Sequence, residues 1–429
     1  MKPKQRKNFY KKYWIIGLVL FSIIFCLSKV SFRSKQISVG GIFNFDFSRL
    51  SAFRMVPEYE KTLKEIFISL SVHDRSLEHH ESFLDQLPEY TKIFLFLPKS
   101  RFPGISRSIK EKPYANRVHY LTYDSKKQIE KDVYLLFRDK ENLIKFPVTD
   151  NFCFAEPGTL WSQDYFEVME NDGEILLLIP CIHKYFSAEK DSKVLYPDNE
   201  CLFACEYSGL EVMRVPLLFK GGNIFVDKIN GKQVGFIGGD VVKGTLTVSN
   251  HLAGSKSAVG KDGIYKILKN ILNVDEVVVF RPDKLQPSLM YHLDQAIVFL
   301  PDKHVGVAKI IDYPANDPGV NDNIKDAQMF LEEITGILKS RGYTIVDIFL
   351  TMDNLRNFKH FINVIPFVDL KTKTRKVFMP IFPDSKKEDK RIIDMNKKVF
   401  ESLGYEVMEV NTEVNKKKGG IHCMVNVLK

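Results

Sequence analysis

Two helical stretches of this chain end in the same way, and that ending constrains the fold most. NIKDAQMFLEEITGILKSRG (323–342) and DKRIIDMNKKVFESLG (389–404) close on Gly342 and Gly404, each followed at once by a tyrosine and a strand-like run. A helix C-terminus favours a left-handed residue, which glycine adopts without a Cβ penalty. Within the second stretch Ile392, Met395, Val399 and Leu403 recur at three- and four-residue spacing, one face of an amphipathic helix. One-sided helices leading through short links into strands imply an α/β fold of repeated modules.

Strands are expected over 92–98, 117–123, 174–180, 234–242, 275–280, 296–301, 304–311, 343–350, 376–382 and 405–411, where apolar and β-branched residues concentrate. Further helices are expected over 79–91 and 262–273. No Pro- or Ser-rich linker cuts residues 60–429, so they read as one domain. The Gly-, Ser- and Lys-rich stretch 243–261 reads as a mobile element.

Ahead of that domain the pattern changes. Residues 1–12 carry Lys2, Lys4, Arg6, Lys7, Lys11 and Lys12 with no acid, and residues 13–28 form an uncharged apolar run. Sixteen residues fall short of the roughly 20 a membrane span needs, but Lys12 and Lys29 can snorkel at its ends. No small-x-small cleavage site follows, so an uncleaved signal anchor is favoured over a removed signal peptide. The heavier basic flank is expected to stay in the cytoplasm and the globular part to face outward, or to be secreted if the segment is cleaved. Residues 29–59 read as a tether. The net charge is +9, six of it in residues 1–12, and no nucleic-acid-binding motif accompanies the remainder. No nucleic-acid partner is expected.

The cysteines are Cys26, Cys153, Cys181, Cys201, Cys205 and Cys423. Cys201 and Cys205 lack the second ligand pair of a zinc site. A disulfide among Cys153, Cys181, Cys201 and Cys205 stays open for a domain outside the cytoplasm.

Four segments carry groups suited to chemistry: LWSQDYFEV around Asp164, FKGGNIFVD around Asn223, YHLDQAIVFLP around His292 and Asp294, and GGIHCMVNVLK around Cys423. Singly, each has an ordinary structural reading: a turn acid, a glycine turn, an incidental His-x-Asp, a buried thiol. Together they supply a thiol, an imidazole and two carboxylates. Carboxylates match the N–H fork of a guanidinium. A thiolate can attack its central carbon, and a histidine can protonate departing ammonia and later activate water. His292 and Asp294 alternate and so share a face if the segment is extended.

In this order, Trp-x-x-Asp, Gly-Gly-Asn, His-x-Asp and a C-terminal His-Cys, the chain resembles the guanidino-modifying (pentein) superfamily over roughly residues 60–429. Trp-Ser-Gln-Asp and the IHCMVNV ending, with Asn426, are most similar to the catalytic domain of peptidylarginine deiminases. The resemblance implies a five-bladed α/β propeller of ββαβ modules around a central site. It implies Cys423 as nucleophile, His292 as general acid/base, and Asp164 and Asp294 as the guanidinium clamp, with Trp161, Gly222, Asn223 and Gly420 against the substrate. The glycine backbone at Gly419 and Gly420 would let the substrate approach closely. The implied reaction converts arginine in proteins or peptides to citrulline and ammonia through a thiouronium intermediate. No cofactor is needed for that chemistry. Calcium enters only because Gln163 and Glu167 match two ligand positions of the calcium-activated members.

Two departures qualify the resemblance. Lys220 stands where arginine and agmatine deiminases carry a glutamate before Gly-Gly-Asn, and a lysine there would repel a free guanidine. The amino-terminal immunoglobulin-like domains of the vertebrate enzymes have no counterpart, the anchor and tether standing in their place. A deiminase of small guanidines such as agmatine, an amidinotransferase and a degenerate binding-only member are the alternatives.

Overall fold

The computed structural model describes residues 36–39, 43–46, 49–70, 76–123, 138–139, 142–143, 161–164, 166–180, 184–188, 192–196, 211–215, 217–253, 260–314, 320–383 and 387–429. The basic N-terminus, the apolar run 13–28 and every cysteine except Cys423 lie outside these residues. Among the described residues no helix is long and apolar enough to cross a membrane.

Three consecutive units repeat one plan. Ile224–Ile229 and Lys232–Gly238 form a hairpin, helices Gly239–Ala253 and Lys261–Ile271 follow, and Glu276–Phe280 returns parallel to the second strand. Ile297–Leu300, His304–Ile310, helix Asp322–Ser340 and Thr344–Leu350 repeat it. So do Ile365–Val368, Arg375–Ile381, helix Lys387–Ser402 and Tyr405–Asn411. A fourth sheet joins Arg54–Met55, Glu167–Asn171, Glu174–Pro180 and Glu211–Val215. The fifth sheet sets Glu65–Ser69, Lys92–Pro98 and Val118–Tyr123 parallel, then adds Asn426–Val427 antiparallel to Glu65–Ser69. The end of the chain is thereby stitched to the start of the domain. The sheets are separate, and none among the described residues closes on itself.

The helix endings behave as the sequence implied. Helix Asp322–Ser340 starts at Asn321, whose side chain accepts the Asn323 N–H at 2.9 Å, a side-chain cap for an orphan donor. It ends with Gly342 at φ +81°, Gly342 N donating to Lys339 O and Tyr343 N to Leu338 O. That paired pattern satisfies the last carbonyls and turns the chain into the next strand. Gly404 repeats the left-handed turn at φ +81°. Ile324, Ala327, Phe330, Ile334 and Leu338 bury one face of this helix. At roughly 1.5–3 kcal/mol per large apolar side chain removed from water, that face holds the helix to its sheet.

Several expectations shift. The helix expected over 79–91 is Ser76–Leu84 and stops ahead of Pro88, a residue that cannot continue a helix and restricts the one before it. The strand expected over 234–242 ends at Gly238, and Asp240–Val242 begin helix Gly239–Ala253. That helix also claims much of the stretch read as a mobile element. The tether boundary at 59 moves as well, because Leu50, Phe53 and Met55 are buried and Arg54–Met55 pairs with Glu167–Asn171. The opening strand Ile365–Val368 escaped the pattern reading, Pro366 interrupting its apolar run.

Candidate active site

Four single 3-10 turns, Ser162–Asp164, Gly221–Asn223, Leu293–Gln295 and His422–Met424, pack against one another in a ring. Each stands just ahead of a strand that opens its unit. His292 is extended, but Asp294 lies inside a 3-10 turn, so the shared face that a fully extended segment would give does not apply. The two still converge. One donor atom each from His292, Asp294 and Cys423 lie within 4.8 Å of one another, and all three residues are buried.

Cys423 Sγ donates to Asp294 Oδ2 at 3.1 Å, and the same oxygen lies 3.0 Å from His422 Nδ1. The other ring nitrogen of His422 meets Glu58 Oε1 at 2.7 Å. The imidazole is thus sandwiched between two carboxylates, with the Phe225 ring stacked at 6.2 Å. Burial disfavours its charge, but Glu58 and Asp294 outweigh that and raise its pKa to about 10. Reciprocally, burial pushes the Asp294 carboxyl up, while His422, His292 and the Cys423 contact hold it below the usual range. Glu58 shows the same balance: burial raises it and His422, then Lys61, bring it below normal. The result is an ion triad fixed directly beside the thiol.

Asn363 ties this triad to its frame. Its Nδ2 reaches Cys423 Sγ at 3.4 Å and the Asp294 carbonyl at 3.1 Å, and its Oδ1 accepts the His422 N–H at 2.8 Å. Asn223 Oδ1 accepts the Leu293 N–H at 2.9 Å, anchoring the turn that carries Asp294. Asn426 Nδ2 donates to Phe166 O at 2.8 Å, locking the last strand onto the Trp161–Glu167 segment.

Residues 183–427 match the Porphyromonas-type peptidyl-arginine deiminase family, more than half of the chain. The chain belongs to that family. Among solved structures, a C. jejuni agmatine deiminase shares the fold at TM-score 0.54 and 15% identity, covering 87% of this chain and 95% of its own. An Enterococcus faecalis agmatine deiminase does so at TM-score 0.54 and 15% identity, covering 88% and 96%. A candidate arginine deiminase from Porphyromonas gingivalis gives TM-score 0.55 at 12% identity, covering 87% and 97%. No curated protein matches the sequence. The guanidino-modifying (pentein) resemblance thus holds, and the relatives are deiminases.

Within this family member the sequence-derived residues take distinct places. Cys423, His292 and Asp294 meet, as expected from the motifs. Asp164 ends the Ser162–Asp164 turn in the ring, and its side chain lies outside the described set. The glycines serve the protein's own packing. A Cβ on Gly222 would lie 2.9 Å from Asp294 Oδ2, and one on Gly420 2.1 Å from Asn363 Oδ1. At Gly419 it would strike the half-buried Trp161 ring at 2.3 Å. The side-chain faces of Gly419 and Gly420 thus lie against Trp161 and Asn363.

Gln163 is buried with its backbone carbonyl pressed on Gly221. Glu167 is buried too; burial pushes its carboxyl well above normal, Lys61 opposes that and Glu58 adds to it. Calcium takes 6–8 oxygen ligands, and the side chains of Gln163 and Glu167 supply only the two positions the resemblance pointed to.

Glu58 and Asn363 were missed. Neither belongs to a motif naming a reaction, and Glu58 lies in the stretch read as tether. The signal that could have found it is PEYEK (57–61), an acidic and aromatic cluster beside an apolar run.

Proposed function

We propose that this chain hydrolyses the guanidinium of arginine side chains in proteins or peptides, giving citrulline and ammonia. The observation that carries the reading is the buried meeting of Cys423 Sγ, His292 and the Asp294 carboxylate within 4.8 Å, drawn from segments far apart in sequence. Asp294, held ionised, and Asp164 on the facing turn would grip the planar cation bidentately. Cys423, as thiolate with its proton passed to His292, adds to the central carbon. The neutral tetrahedral adduct collapses as His292 returns the proton to the departing nitrogen, so ammonia leaves and a thiouronium cation remains. Neutral His292 then takes a proton from water and hydroxide adds to the same carbon. As the C–S bond breaks the hydroxyl proton passes to the leaving sulfur, freeing the ureido product and the Cys423 thiol, and His292 gives its proton to ammonia. Every step uses side chains alone and needs no cofactor.

Lys220 supports a polymer-borne arginine over a free guanidine. It stands where the resemblance puts the glutamate of small-molecule deiminases. The second reading, a deiminase of agmatine or a similar small guanidine, is favoured by the C. jejuni and Enterococcus faecalis agmatine deiminases that share the fold. Two further elements of the reading are structural: the five sheets are blades of a propeller around the ring of turns, and residues 13–28 anchor the chain with the catalytic domain outside the cytoplasm.

The test is turnover by the full chain of an arginine peptide, free arginine and agmatine, with calcium or chelator, following ureido product and ammonia. Peptide turnover that Cys423→Ala abolishes is expected, with no calcium requirement. Turnover of agmatine alone moves the protein to the small-guanidine reading. Silence on all three substrates from a folded sample overturns the enzymatic reading.

A further inference from the structure

The four chemistry-bearing turns share a position: each stands immediately ahead of the strand that opens its unit. Asp164 precedes Glu167–Asn171, Asn223 precedes Ile224–Ile229, Asp294 precedes Ile297–Leu300, and Cys423 precedes Asn426–Val427. The remaining unit opens with Ile365–Val368, and two residues ahead of it stands Asn363. No motif singles this residue out, yet it occupies the place from which the other units deliver their functional groups.

We propose that Asn363 is the fifth unit's contribution to the site, a positioning residue that holds Cys423 and stabilises it as the thiolate. Asn363 is 1% exposed, and its amide orientation is forced by its partners. Oδ1 faces the His422 N–H, which can only donate, and Nδ2 faces the Asp294 carbonyl, which can only accept. The Nδ2 group is therefore the one that faces Sγ at 3.4 Å. The sulfur lies between an acceptor, Asp294 Oδ2, and a donor, Asn363 Nδ2. The acceptor holds the proton of the thiol. Once that proton leaves, the donor's bond strengthens, because a hydrogen bond to sulfur is stronger when the sulfur is charged.

Other charged or titratable groups face the same place: His292, the His422 imidazolium, Asp294, and His360 on the Asn363 turn, which burial lowers to about 4 against the pull of Asp294. Of these contacts, the amide alone is a neutral donor whose charge is constant across pH. The turn is also rigidly mounted. Lys359, four residues before Asn363, pairs with Asp389 at 3.0 Å, and Asn354 donates to the same carboxylate at 2.6 Å, all buried.

The inference rests on Cys423 being the nucleophile but not on any substrate, so its test needs none. The pH dependence of Cys423 alkylation by iodoacetamide, read on the Cys423 peptide by mass spectrometry, reports the thiolate. Asn363→Asp keeps an acceptor for the His422 N–H and sets a carboxylate against the sulfur. Its profile is expected to move up by about one pH unit or more, with alkylation slowed about tenfold below the midpoint. Asn363→Ser, which keeps an acceptor and loses the reach, is expected to move it less in the same direction. Profiles that coincide with the parent's, or fall equally at every pH, overturn the assignment. A second measurement uses the unsubstituted protein, so misfolding of the variants does not matter. Alkylating Cys423 is expected to shift the Asn363 side-chain amide proton resonance, and an unmoved resonance also overturns it. Failure of the nucleophile reading looks different: Cys423 of the parent then alkylates no faster than an ordinary thiol.

Discussion

Asp294 and Asp227 are equally hidden, each 2% exposed, yet they are held in opposite ways. Asp227 accepts one neutral hydroxyl on each oxygen, Tyr59 Oη at 2.5 Å and Tyr343 Oη at 2.6 Å. Burial and the carboxylate together push both phenols above their usual range, so they stay donors at any ordinary pH. Asp294 crowds its partners onto one oxygen, an imidazole and a thiol, while Oδ1 has no hydrogen-bond partner among the described residues. A buried polar atom without a partner is costly, and here it belongs to the residue expected to grip a cation. The saturated carboxylate is a structural knot; the lopsided one is prepared for a ligand. One short turn serves both, since Glu58 reaches His422, Tyr59 reaches Asp227 and Glu60 reaches Lys228.

That contrast can be broken by experiment. Turnover should fall by roughly 10⁴-fold in Cys423→Ala and by about 10²–10⁴-fold in Asp294→Asn, with cooperative unfolding retained. An Asp294→Asn protein with near-parent turnover would remove the functional side of the comparison.

Next in size is His422→Ala, which leaves Glu58 and Asp294 as buried charges without their shared cation. It should cost roughly 3–5 kcal/mol by urea unfolding. The pH dependence sharpens this. The folded pKa of about 10 lies above the ordinary 6.5, so the stabilisation is full below about 6.5 and fades as pH rises towards about 10. Asp294 and Glu58, held below normal, act oppositely and lose their contribution on acidification. A parent-to-variant stability gap that widens from neutral to alkaline pH would contradict the triad.

Asp227→Asn should cost about 1.5–3 kcal/mol, because one hydroxyl then faces an amide donor. Its turnover per folded molecule should stay within about twofold of the parent's, as expected for a site with no shared partner. Loss of catalysis without loss of stability would show that Asp227 is no mere knot. Smallest is Tyr59→Phe, about 1 kcal/mol in thermal unfolding with activity unchanged.

The chain's local patterns carried a good deal. Amphipathic spacing and the glycines at 342 and 404 announced the helix-to-strand modules, because helix period and left-handed φ are properties of a few consecutive residues. The motif residues Cys423, His292 and Asp294 were legible for a related reason: a reaction needs those side-chain types in any surroundings. Glu58 and Asn363 were not legible, since a glutamate in a proline-led turn and an asparagine ahead of a four-residue strand look ordinary alone. That Asp294 sits in a 3-10 turn was not legible, since the side chain anchoring that turn, Asn223, lies 70 residues from Leu293 in the chain. Close approach at Gly419 and Gly420 was anticipated for the substrate; the side chains that lie there are Trp161 and Asn363, and Asp294 lies at Gly222. Sequence by itself determined which groups could act and where helices had to stop. Only the tertiary structure decided which of those groups share a charge, because the field at a buried site depends on distance and burial, not on spacing along the chain.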